Sequence, residues 1–114
     1  MKLKAMKKIG SLKELPSWMA KVLKDEPVAD IDGEFQSGCL VKPGQDGPVL
    51  LHLLLGFASA DACLLHLESG GFAHLYSVRY YEQDGANAKL IRSQYVPQAF
   101  DSLSEIEKVL AASD

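Results

Sequence analysis

Three histidines, His52, His66 and His74, and the carboxylate of Glu68 are the residues of this 114-residue chain whose types could do chemistry together. Imidazole nitrogens suit zinc and copper, and a carboxylate beside them could serve as a base. If residues 59–69 form a strand closed by the loop Ser69-Gly70-Gly71, His66 faces His74 and Glu68 faces Phe72, with His52 on a neighbouring strand. A Gly-Gly turn shorter by one residue puts His66 and His74 on opposite faces, and a helix over 59–69 separates them too. Ordinary hydrogen-bonded histidines are the plainer expectation. No metal or other cofactor is expected, and a histidine-based metal-binding protein or hydrolase ranks third among the functions weighed.

The other reactive side chains point the same way. Cys39 and Cys63 lack zinc or redox spacing, and neither has a local base or positive charge that would make a thiolate. Both read as small core residues, free thiols of a chain in the reducing cytoplasm. A calcium loop started at Asp30 would need glycine at Phe35 and a bidentate acid at Val41. No P-loop, GxGxxG, GxSxG, HExxH or CxxC occurs. No catalytic residue is assigned, and an enzyme is not the expected class.

Binding chemistry is better represented. All four tyrosines and both arginines fall between Tyr76 and Tyr95. Tyrosine offers a rigid contact area with a polar tip and arginine a planar donor fork, which is why both are enriched where proteins grip partners. The expected contact residues are Arg79, Tyr81, Arg92 and Tyr95. Strand alternation assigns Tyr76, Val78 and Tyr80 to the core and Arg79 with Tyr81 to the outside. An odd-sum register brings Arg92 to that outer face, over the Tyr81 ring in a cation–π contact.

The elements that must position these residues follow from caps, turns and periodicity. Ser11-Leu12-Lys13-Glu14 is a capping box, but Pro16 would remove a hydrogen bond and clash with the Leu12 carbonyl, so a short turn at 11–14 precedes a helix that starts at Pro16. Leu15, Trp18, Met19, Val22 and Leu23 share its face, and Asp25-Glu26-Pro27 ends it. Extended segments are expected at 28–32 and 34–42, then a turn-rich loop at 43–48 and an apolar strand at 49–57 buried on both faces. Residues 59–69 fit two readings. As a helix, Ser59 caps, Asp61 complements the dipole and Gly70 terminates; as a strand, Cys63, Leu65 and Leu67 alternate inward. The end residues favour the helix. Strands at 72–82 and 89–96 flank an Asp84-Gly85 turn, and a last helix starts at Ser102, where Ser102-Leu103-Ser104-Glu105 repeats the capping pattern.

The fold class is therefore α+β: an antiparallel sheet of about five strands with N-terminal and C-terminal helices and a possible third helix at 59–69, in the order α-β-β-β-(α)-β-β-α. One domain spans 1–114, with 1–10 a basic tail. Such a chain buries roughly two-thirds of its unfolded surface. In element order, size and acidic balance it resembles the type III secretion chaperones, a resemblance that no motif residue extends.

Charge narrows the function classes. Net charge is −3, yet residues 1–24 hold seven of the twelve basic side chains and only Glu14 as an acid. That basic end could fold back over Asp25, Glu26, Asp30, Asp32 and Glu34 or reach an acidic surface. The opening residues resemble a signal-peptide n-region, but Lys13, Glu14 and Lys21 interrupt the stretch where an apolar h-region would have to lie, and the uncharged run 47–60 is far short of the ~20 residues of a membrane span. The first expectation is a non-enzymatic protein-binding module of the immunity, inhibitor or secretion-chaperone type, with a basic protein surface or a second copy as partner. The alternative is a single-stranded nucleic-acid binder that stacks bases on the tyrosines and holds phosphates with the Lys-rich end. The acidic majority favours the first. A fluorescent single-stranded oligonucleotide should show no salt-sensitive binding at micromolar protein, because that majority repels phosphate; steeply salt-dependent binding would establish the alternative.

Overall fold

A computed structural model describes residues 2–33, 51–70 and 74–112. The expected strand 34–42, the loop 43–48, Cys39, Phe72 and the outer ends of two expected strands lie outside the described residues. In chain order the elements are β1 (Lys7–Ile9), α1 (Ala20–Asp25), β2 (Val28–Ala29), β3 (Leu51–Ala58), β4 (Ala62–Ser69), β5 (Leu75–Asp84), β6 (Asn87–Val96) and α2 (Leu103–Ala112). The sheet runs β1-β3-β4-β5-β6, antiparallel throughout that path, and β2 lies parallel to the start of β3. This is an α+β fold. No helix among the described residues is long and apolar enough to cross a membrane.

Of the two readings of 59–69 the structure takes the strand. Every side chain from Ala62 to Leu67 is buried, so the segment has no wet face to turn outward, as a surface helix would need. Between β3 and β5 it buries both faces instead. The residues that suit a helix start shape the β3–β4 turn: the Ser59 amide donates to the Ala62 carbonyl at 2.9 Å and the Ser59 hydroxyl to Asp61 Oδ1 at 3.2 Å. Lys2 Nζ closes on Asp61 Oδ2 at 2.7 Å, which fastens the chain's basic end to this turn. Residues 2–10, read from sequence as a tail, contain a 3-10 turn at Leu3–Ala5 and then β1.

The N-terminal layer is built as its capping residues dictate. The Ser11 hydroxyl accepts from the Lys13 amide at 3.2 Å, the Glu14 carboxylate accepts from the Gly10 amide, and a 3-10 turn at Leu12–Glu14 stops before Pro16. A second 3-10 turn at Ser17–Met19 leads into α1. Asp30 ties this layer to the end of β2 by accepting from Ser11 Oγ at 2.6 Å and from the Leu12 and Ile31 amides at 2.9 and 2.8 Å. Those bonds, Ser11 first, hold its carboxyl below the usual aspartate value.

Two apolar cores result, one on each face of the sheet. On one, Ile9, Trp18 and Met19 pack with Leu53, Cys63, Leu65, Leu67 and Tyr81. On the other, Phe100, Ile106 and Leu110 pack with Leu55, Phe57, Leu64, Val78 and Tyr80. Each fully buried leucine contributes about 2 kcal/mol relative to exposure. The α2 layer starts where expected: Ser102 Oγ accepts from the Glu105 amide at 3.4 Å. Trp18 is buried and donates its indole N–H to the Ala60 carbonyl at 3.1 Å. Trp18→Ala should therefore lower the unfolding free energy by about 3–5 kcal/mol in denaturant titration.

Candidate functional site

The β5–β6 hairpin turns through Gly85-Ala86, with Gly85 at φ 63°, the first central position that a type II′ turn reserves for glycine. From the turn outward the register is the odd-sum one expected, with Tyr81 opposite Leu90. One extra residue, Ile91, then enters β6, and Tyr80 faces Arg92. This bulge reverses the parity of everything beyond it.

The four hairpin residues are divided as a consequence. Tyr81 does not face outward: it is 5 % exposed and belongs to the core beneath Trp18 and Met19. Arg92 sits on the α2 face, where Nη2 donates to the Leu110 carbonyl and Nε to Gln94 Oε1, both at 3.0 Å, a cation at a helix C-terminus. The expected Arg92–Tyr81 stack is excluded because the two lie on opposite faces. Arg79 lies on the Trp18 side and pairs through Nη2 with Glu26 Oε1 at 3.0 Å. Tyr95, opposite Ser77, shares that side and is 73 % exposed. Val78 and Tyr80 are buried and Tyr76 packs partly buried against their core, as alternation assigns them. The Tyr80 hydroxyl donates to Glu82 Oε2 at 2.6 Å and accepts from the Lys2 amide at 2.9 Å, and its pKa is pushed up to about 12, by burial first.

Three further apolar side chains of the hairpin strands are exposed besides Tyr95. Leu75, Leu90 and Ile91 are exposed, and with Tyr95 they are the exposed large apolar side chains among the described residues. All lie on β5 and β6. Alternation along β5 puts Leu75 on the side of Arg79, away from the assigned core, whereas Leu90 and Ile91 sit in a run of β6 that alternation could equally turn inward.

The histidines converge in part. β4 and β5 pair with His66 opposite Val78 and Glu68 opposite Tyr76, so His66 faces Val78 where a three-residue loop would have set it against His74. Glu68 instead lies between the other two rings. His52 Nδ1 meets Glu68 Oε1 at 2.7 Å, and His74 Nε2 meets Oε2 at 2.8 Å. His52 Nε2 lies 2.8 Å from the Ile31 carbonyl, so both of its ring nitrogens face oxygens. The His52 and Glu68 side chains are each 13 % exposed and His74 is 45 % exposed. Burial pushes the Glu68 carboxyl up, and the hydrogen bonds and charges of His52 and His74 outweigh it, leaving Glu68 below the usual glutamate value.

His66 stands apart, fully buried, with Nδ1–H donating to the Ser77 carbonyl at 3.0 Å and Nε2 accepting from the Phe100 amide at 2.9 Å. Among the described residues no group of three histidine, cysteine or acidic side chains is placed to hold a metal ion. Cys63 is buried, and burial pushes its thiol up to about 12, far from a nucleophile's range.

Comparison with protein families, with curated proteins and with solved structures finds no match for this chain.

Glu68 joins β3, β4 and the residue before β5, and its depressed carboxyl sets a pH dependence. The stability it contributes is present above the ordinary glutamate value of 4.5 and is lost as pH falls through the lower folded value. Glu68→Gln should therefore cost about 2 kcal/mol near neutrality, and its melting temperature should converge with that of the unmodified protein toward about pH 3.

Proposed function

We propose that this chain is a protein-binding module that takes up an extended segment of another protein along the open edge of β6. One observation carries the reading: among the described residues β6 is a ten-residue outer strand whose Leu90, Ile91 and Tyr95 are exposed. A strand edge presents unpaired amides and carbonyls that template a further strand, and the side chains beside it supply selectivity. The opposite edge is treated differently. There β1 and β2 are three and two residues long, and β1 is Lys7-Lys8-Ile9, the short and charged design that discourages pairing.

The partner's chemistry follows from β6. Net charge favours a basic partner surface, but the strand itself carries Lys89 and Arg92 and no acid. An extended segment with alternating apolar residues and a flanking acid is its complement. Immunity proteins, inhibitors and secretion chaperones are modules of this kind, and the free Cys63 thiol suits a cytoplasmic setting. The nucleic-acid alternative loses support, since Tyr80 and Tyr81 are buried and Tyr95 alone among the tyrosines is exposed for stacking. Among the described residues an enzymatic reading would rest on histidines that already have partners.

A displayed library of random twelve-residue peptides should yield binders rich in alternating β-branched and acidic residues. Tyr95→Ala should weaken the selected peptides by about 2 kcal/mol while folding stability changes by less than about 1 kcal/mol. Peptides that bind Tyr95→Ala and Ile91→Lys as tightly as the unmodified protein would remove β6 from the site. A second copy is the other occupant, seen as a dimer in sedimentation equilibrium that Ile91→Lys dissolves.

A further inference from the structure

The C-terminal arm, residues 97–112, contributes no strand to the sheet and lies across it on side-chain contacts. Its entry is fixed at one backbone atom: the Phe100 amide donates to His66 Nε2 at 2.9 Å, and the Phe100 ring stacks on the imidazole with centroids 5.6 Å apart. Its far end is held by Arg92 on the Leu110 carbonyl. The His66 ring uses its two nitrogens in opposite roles, a donor to the Ser77 carbonyl and an acceptor from Phe100, and the neutral tautomer with the proton on Nδ1 is the form that satisfies both.

We infer that His66 is a proton-operated latch: protonation at Nε2 breaks its bond to the Phe100 amide and frees the C-terminal arm from the sheet while the strands stay paired. A protonated Nε2 presents a donor to a donor, with no acceptor between them. The charge also lands among apolar side chains, since Leu55 and Val78 are the cross-strand neighbours of His66. The titratable groups around the ring do not remove this conflict. Glu68 lies on the same face of β4, but it is bonded by His52 from β3 and His74 from the segment before β5. Tyr76 of β5 shares the face, and Asp101 of the arm is exposed beside Phe100. Burial first, opposed by Ser77 and the Glu68 charge, holds the His66 ring below its ordinary value of 6.5. The sign is then set: the latch is fully closed above 6.5 and loosens as pH falls through the folded value. Release bares Leu64, Val78 and Tyr80, which the arm covers at neutral pH. The inference stands independently of the β6 reading.

Amide hydrogen exchange of the full chain between about pH 7 and pH 5 tests it, with rates corrected for the intrinsic pH effect. One-proton linkage predicts that the opening constant at Phe100 and Ile106 rises toward tenfold per pH unit below 6.5, while Leu64 and Leu65 in β4 stay at least tenfold better protected. His66→Gln keeps an acceptor for Phe100 and removes the titration, so its arm should open independently of pH. In the unmodified protein the His66 ring-carbon protons should titrate over the same range as arm opening, a readout that serves even if the variant does not fold. Arm exchange that is flat with pH, that coincides with β4 exchange, or that tracks pH equally in His66→Gln overturns the latch.

Discussion

A strand with no wet face must be covered twice, and β4 imposes that demand on the whole chain. Six consecutive side chains, Ala62 to Leu67, are out of water, so β4 has to lie inside a sheet and the sheet has to lie between two layers. The layers available are small. α1 is six residues long and would not persist alone, since helices below about 12 residues are marginal in water. It holds because Trp18 and Met19 at its start are buried against Leu65 and Leu67, while α2 buries Ile106 and Leu110 on the other side. Local propensity sets where these helices begin; burial against β4 makes them stable.

Which side chain meets which layer is decided by two single-residue insertions, Leu54 in β3 and Ile91 in β6. Leu54 lets Leu53 and Leu55 serve opposite cores two positions apart, which simple alternation forbids. Ile91 sends Arg92 to α2 instead of to Tyr81. Neither bulge leaves a mark in the sequence, because a bulge is a property of a strand pair, and both residues read as ordinary apolar strand members. This is why the hairpin was legible as a hairpin and its faces only in part. Tyr76, Val78 and Tyr80 were assigned by parity along β5 alone and lie inward. Arg92 required parity across β6, and Tyr81 required knowing that both faces of β5 are covered near the turn.

The same distinction separates the readable from the unreadable in the polar sites. Ser11 and Ser102 cap what they were expected to cap, since a cap needs only the next few residues of its own chain. The fate of 59–69 was open because Ser59 and Asp61 serve a turn as well as a helix start, and the choice lay with β3 and β5. Glu68 could be named beside His52 and His74 as a chemically apt set, but their meeting depends on strand registers, His52 opposite Glu68 and Glu68 opposite Tyr76, that residue type does not fix. His66 had no sequence signal for its role: its partners are a carbonyl and an amide, groups that every residue carries.

The charge division along the sequence finds its account in these contacts as well. The basic N-terminal segment is laid over the molecule rather than held away from it, with Lys2 on Asp61 and the turn after Ser11 on Asp30. Its layer covers the Trp18 side of the sheet as far as Arg79, which pairs with Glu26, and Ala88, which joins the same core. Beyond that boundary Leu75 and Tyr95 are exposed among the described residues. Among the described residues both helices lie on the faces of the sheet, one edge carries two short strands, and β6 is the outer strand of the other. An open edge with apolar side chains is a hazard that proteins ordinarily blunt, and the chain has shown at β1 that it has the means. Among the described residues β6 instead runs for ten residues with Leu90, Ile91 and Tyr95 exposed, and that contrast with β1 is the observation on which the proposed partner strand rests.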